Sequence, residues 1–265
     1  MKLSKIEWTE ETWNPVIGCN EVSEGCRHCY AKVMARRLQA MGVSAYKDGF
    51  KVKMLPDRLP QPLKNKKPTK YFVNSMSDLF HNEVTFEFID KVFDIIRSTP
   101  YHTYQILTKR EKRLAEYFST RSCPSNVWLG VTVEDKQRGV PRMDYLRNID
   151  ATIRFISAEP LLEDLGKIDL TGIHWVIVGG ESGNQARPMS ESWAINIRKQ
   201  CEIANVAFFF KQWGTWGADG KKRNKALNGK KLEGKIHQDY PEILLQNRKE
   251  QLPNIDAISA MSSPY

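Results

Sequence analysis

Between residues 70 and 214 the chain repeats one pattern, a short apolar run followed by a stretch with helical spacing. The runs are KYFVNSMSDLF, TYQILT, NVWLGVTVE, TIRFISAEP, IHWVIVGGESG and VAFFFKQWG. Helical spacing recurs over 85–99, where Ile89, Val92, Phe93 and Ile96 share a face, and over 111–118, 137–148 and 191–204. Strands alternating with helices imply parallel pairing through right-handed crossovers. Several runs are apolar at nearly every residue, as in WVIVGG and AFFFKQ, so both of their faces are covered. A barrel or a doubly wound sheet satisfies this. A first strand is expected around Trp13–Gly18, and a helix with Tyr30, Val33, Met34, Leu38 and Met41 at helical spacing is expected to end at Gly42.

The runs turn polar at their C-terminal ends: Asn74, Ser75, Met76, Ser77 and Asp78; Thr132, Glu134 and Asp135; Ser157 and Glu159; Gly179, Gly180, Glu181 and Ser182; Lys211 and Gln212. In α/β barrels the active site is built at that rim. The loop after the first strand opens on the same rim and carries Cys19, Cys26 and Cys29. Thiolates this close can share one metal centre, and three cysteines cannot all pair with one another as disulfides. Structural zinc sites are usually closed by four protein ligands, so three with an open position suit catalysis better. Iron–sulfur clusters are normally held by four thiolates, and three would leave one iron free for another ligand. The alternative on the same residues is structural zinc, completed by His28 or His81. Cys123, beside a proline, and Cys201, in a helix, read as ordinary thiols.

A chain of 265 residues is long enough for a large core, and 41% hydrophobic residues indicate a globular protein. No apolar run reaches the ~20 residues of a membrane span. The start, MKLSKIEWTEETWNP, lacks the apolar core of a signal peptide. A cytoplasmic location is therefore expected, where cysteines serve metals or redox chemistry. The net charge of +9 gathers in two stretches, 51–70, read as an irregular loop, and 220–235. These are either solvated surface or a grip on a polyanion. The expected organisation is a barrel over 1–214 with a basic C-terminal extension over 215–265.

Three clustered cysteines after the first strand of a βα barrel, with a ring-bearing residue, His28, just before the third, resemble the radical S-adenosylmethionine (SAM) superfamily. The usual spacing there is C-x3-C-x-Φ-C with Φ aromatic; here it is C-x6-C-x2-C. The segments IEWTEETWNPVIGC, SEGCRHCYA, NSMSDLFH, SAEPLL, VIVGGESG and FFKQWG are together similar to a phage and prophage protein family of poorly characterised role. The resemblance implies an α/β fold with a partial or nearly closed (βα) barrel of six to seven parallel strands. It implies that Cys19, Cys26 and Cys29 bind three irons of a 4Fe-4S cluster while SAM chelates the fourth. Cleavage of SAM would give a 5′-deoxyadenosyl radical that abstracts hydrogen, so the cofactors perform the chemistry and the protein positions them. SAM is expected across the rim, its amino-acid end near Asn74, Ser75, Ser77 and Asp78. Its ribose and adenine are expected near Thr132, Glu134, Ser157, Glu159, Gly179 and Gly180. The superfamily's glycine-glycine-glutamate follows the second strand, whereas the GGES of this chain ends the sixth, so that role is not assigned to Glu181. The substrate would be a nucleic-acid base, a nucleotide or a partner protein, and a phage setting points to DNA base modification such as rearrangement of a modified thymine. A flavodoxin or ferredoxin would supply electrons. The reading from another class is a zinc-stabilised nucleic-acid-binding module without catalysis.

Overall fold

A computed structural model describes residues 4 and 6–242. Strand β1 (Glu11–Trp13) enters the main sheet, and Pro15, two residues further on, has no N–H to donate. The chain then leaves that sheet, and β2 (Val16–Ile17) precedes the cysteine loop and helix α1 (Tyr30–Ala40). Strand β3 (Lys53–Met54) pairs antiparallel with β2. The strand expected at 13–18 is thus split in two, and the segment expected to be irregular supplies a strand. Helix α1 also departs from expectation. It buries Ala31 and Ala35 against Ile17, Tyr46 and Met76, while Tyr30, Val33, Met34 and Met41 stay exposed. The two alanines allow close approach of the helix, which the larger side chains would prevent.

The alternating part follows as β4 (Lys70–Val73), α2 (Phe86–Ser98), β5 (Thr103–Thr108), α3 (Glu111–Phe118), β6 (Val127–Thr132), α4 (Arg142–Arg147), β7 (Ile153–Ala158), β8 (Trp175–Gly179), α5 (Glu191–Ile203) and β9 (Ala207–Gln212). Helix α4 is shorter than the expected 137–148. The Asp135 carboxylate accepts from the N–H groups of Arg138 and Gly139 and holds that part as a turn. Seven strands make one sheet in the order β1-β4-β5-β6-β7-β8-β9, every pair parallel. One face packs on the helices through residues such as Tyr71, Ile106, Leu129, Ile156, Val176 and Phe208.

The other face is interior. Trp8 lies 4.6 Å from Phe72 on β4 and 6.2 Å from Trp175 on β8, ring centre to ring centre. On a flat sheet these strands would stand about 19 Å apart, so the sheet is curled into a partial barrel. Trp8, Phe72, Trp128, Phe155, Trp175 and Phe209 fill its N-terminal end. Gly130 makes room for this plug, since a Cβ there would lie 2.4 Å from the Phe155 ring. Beyond β9 come α6 (Lys225–Asn228) and the hairpin of β10 (Lys231–Leu232) and β11 (Lys235–Ile236). Residues 237–239 run antiparallel along β9, and Tyr240 stacks on Trp175 at 5.1 Å. Of the expected extension, 243–265 lie outside the described residues. No helix among the described residues is long and apolar enough to cross a membrane.

Candidate functional site

The cysteine loop begins with a constraint on backbone shape. Gly18 has φ +79°, and a Cβ there would lie 2.1 Å from the Lys51 carbonyl oxygen. Only glycine meets both conditions. Its N–H donates to Met76 at 3.0 Å and the Cys19 N–H to Phe50 at 3.3 Å, so the loop enters beside the end of β4. Residues Glu24–Cys26 form a single 3-10 turn, and Cys29 stands at the N-terminus of α1, where its carbonyl accepts from Val33. The Tyr30 hydroxyl donates to the Ser75 carbonyl, tying the start of α1 to the same strand end.

Side chains from four strand ends hold the loop across the rim. After β4, His81 bonds Asn20 at 3.0 Å, and after β5, Arg110 donates to the same amide oxygen. After β6, Arg138 donates to the Val22 carbonyl at 2.7 Å, and Glu134 accepts from the Ser23 hydroxyl. After β8, Glu181 bonds His28 at 3.1 Å, while Arg187 pairs with Glu181 at 2.6 Å and donates to the Glu24 carbonyl at 3.0 Å. Burial works against ionisation of Glu181, yet Arg187, its backbone N–H and His28 outweigh it and hold the carboxyl below the usual range. Glu134 is fully buried and paired with buried Arg142 at 2.5 Å; Arg142 also donates to the Thr132 carbonyl at 2.7 Å. Gly25 lies so near that a Cβ would be 3.0 Å from the Glu134 side chain.

All three loop thiols are free and half-buried. Burial, with the Asp78 carboxylate nearby, pushes the Cys19 thiol up to about 11 against the opposing pull of Arg110. A metal cation would displace that proton on binding. Cys123 and Cys201 belong to the helix-side core, where burial pushes both up to about 12. Among the described residues no three His, Cys, Asp or Glu groups converge as one metal ion requires. A single ion draws ligands to about 2.0–2.3 Å, whereas each thiolate of a cluster meets its own iron.

The interior turns polar towards this rim. Thr132 and Ser157 are paired in register and buried on the inward face, and Asn74 ends β4 with φ +60°. The Asn74 Oδ1 accepts from the Val16 N–H at 3.2 Å, which identifies Nδ2 as the donor end, and Nδ2 is buried with no partner among the described residues. Its neighbours are engaged. Ser75 donates to Asn14 at 3.1 Å, Ser77 to the Val16 carbonyl at 2.9 Å, and Asp78 accepts from Thr108 at 2.7 Å and from the N–H groups of Lys109 and Phe80. Glu159 and Lys211 form an ion pair at 2.7 Å across the β8 position of Gly179, where a Cβ would lie 3.3 Å from the Glu159 carboxylate. Gly180 instead accommodates the chain itself, since a Cβ would lie 2.0 Å from the Trp213 carbonyl oxygen. The sequence reading missed Asn14, Arg110, Arg138, Arg142 and Arg187. The signal for the arginines was the set of rim carboxylates and carbonyls that needed donors.

In fold, the chain is similar to two structures of spore photoproduct lyase. One, complexed with dinucleoside spore photoproduct, aligns with a TM-score of 0.46 at 13% identity, over 75% of this chain and 62% of that one. The other, a point mutant in which phenylalanine replaces a tyrosine, aligns with a TM-score of 0.48 at 14% identity, over 88% of this chain and 73% of that one. The chain thus spans less than two thirds of the length of the first. No curated protein sequence matches. A family model described as "Protein of unknown function (DUF5131)" matches residues 3–241, and the chain belongs to that family.

Proposed function

We propose that this protein is a radical SAM enzyme acting on a nucleic-acid base or nucleotide, with DNA base modification as its setting. Cys19, Cys26 and Cys29 would hold a 4Fe-4S cluster, and SAM would occupy the polar interior beside it. When bound, the cluster supplies the electron that cleaves SAM to a 5′-deoxyadenosyl radical, and an external donor such as a flavodoxin or ferredoxin replenishes it.

One observation carries the reading: three unpaired thiols lie on a single loop braced over the polar end of a parallel barrel. The donor set suits the cofactors. Thiolates are the ordinary ligands of iron–sulfur clusters. The partnerless Asn74 amide supplies a buried donor for the SAM carboxylate, and a buried donor left unmade is costly. Ser75, Ser77 and Asp78 shape that turn; Thr132 and Ser157 offer hydroxyls, and Glu159 a carboxylate, to a ribose. Gly179 keeps the interior open beside Glu159. Glu134 and His28 act one step back, by fixing the loop that carries the cysteines.

The test is metal content after anaerobic reconstitution with iron and sulfide. The protein should turn brown and hold iron; Cys19→Ala, Cys26→Ala and Cys29→Ala should each lose it, and Cys123→Ala and Cys201→Ala should keep it. Zinc in place of iron, or full iron in Cys26→Ala, overturns the proposal.

A further inference from the structure

We infer that the groove between α3 and α4 seats the sugar–phosphate backbone of a nucleic-acid substrate. This groove, of about 830 Å³, is lined by Lys109, Arg110, Lys112 and Arg113 on one side and by Arg138 and Tyr145 on the other. Two carboxylates share it, Glu111 and Glu116, and Glu111 already faces Arg142 at 3.4 Å. Lys109 and Lys112 have no ion-pair partner among the described residues, whereas Arg110 donates to Asn20 and Arg113 to the Val84 carbonyl. An excess of cationic donors in a concave surface is what a phosphodiester chain requires, since each phosphate takes charged hydrogen bonds. Half-buried Tyr145 gives a neighbouring base a ring to stack on.

The position is informative as well. Arg110 reaches Asn20 and Arg138 reaches Val22, so the cysteine loop borders the groove at Val22. A strand lying there passes directly beside the rim, with phosphate contacts fixing its register and base choice left to the interior. The basic tail is less available: Arg223 pairs with Asp219, Lys230 with Glu7, and Lys222 donates to the Asn184 carbonyl. An acidic protein partner is disfavoured, because interface hot spots need buried aromatic or aliphatic anchors. The apolar lining here is limited to Val22, Pro141 and Tyr145.

The inference rests on the substrate class proposed above but not on the cluster, so it is tested by binding alone. A fluorescein-labelled DNA single strand of about 16 nucleotides is titrated with the full-length protein, by anisotropy, from about 50 to 200 mM salt. The Lys109→Ala/Lys112→Ala variant should bind more weakly and with a salt slope shallower by about 1.4, two contacts at about 0.7 each for a single strand. Lys221→Ala/Lys222→Ala should retain the parent slope, and unchanged circular dichroism checks folding in both. An unchanged slope in the groove variant, loss confined to the tail variant, or binding of an acidic flavodoxin but no DNA at low salt overturns it. Intact DNA binding by protein that never takes up iron would defeat the cluster and leave this inference standing.

Discussion

At the scale of residues, the site depends on a few positions whose neighbours are remote in sequence. Gly18→Ala would place a side chain on the Lys51 backbone at a positive φ. It should cost at least about 1–3 kcal/mol in urea unfolding and lower iron uptake. Arg142→Met should cost about 3–5 kcal/mol, because it leaves the buried Glu134 carboxylate without its cation. The loss should shrink in the double variant with Glu134→Gln, and equal losses in both would contradict the role given to this pair. That three free cysteines share one loop was legible in the sequence from their spacing. Their supports were not. Ser23 meets Glu134 and His28 meets Glu181 only after the strands between have been stacked in order. No local pattern records such a pairing.

At the scale of elements, strands buried on both faces were legible because their apolar runs are continuous, and β5 begins and ends where the sequence placed it. The two-residue strands β2, β3, β10 and β11 were not, since so short a piece carries no period. The buried face of α1 was misread because alanines contribute little to a hydrophobic pattern yet decide how closely a helix can pack. Two histidines set neighbouring strands. His102, before β5, accepts the Thr69 N–H on Nδ1 at 3.2 Å, and His174, before β8, accepts the Arg154 N–H at 3.0 Å. An accepting Nδ1 carries no proton, and burial lowers both rings below the ordinary imidazole range. The folded pKa is the lower one, so the unfolded chain binds the extra proton and stability falls as pH drops through that ordinary range. The urea midpoint should therefore decline between about pH 7 and 5, and His102→Gln should flatten the decline. A midpoint independent of pH in this window would contradict the assignment.

At the scale of the whole molecule, the curl of the parallel sheet is held by the packing on its two faces. The aromatic plug draws β4 towards β8 on the inner face, and the helices cover the outer one. Strands β1 and β9 do not pair; at the N-terminal end Lys230 and Gln238 bond Glu7 instead, and Tyr240 covers Trp175. Tyr240→Ala should lower stability by about 1–3 kcal/mol through the lost ring contacts, read by thermal unfolding; no change would mean that the segment is not part of the closure. The barrel and its polar rim were legible because each strand's composition changes along its length. The closure was not, because it joins the two ends of the described chain. The central claim is that this rim assembles a cluster and SAM into one reactive centre. Its most direct test is to incubate the reconstituted, reduced protein with SAM under anaerobic conditions and measure 5′-deoxyadenosine. Release by the parent protein, and none by Cys19→Ala, Cys26→Ala or Cys29→Ala, is the predicted result; an iron-loaded protein that leaves SAM intact would contradict it.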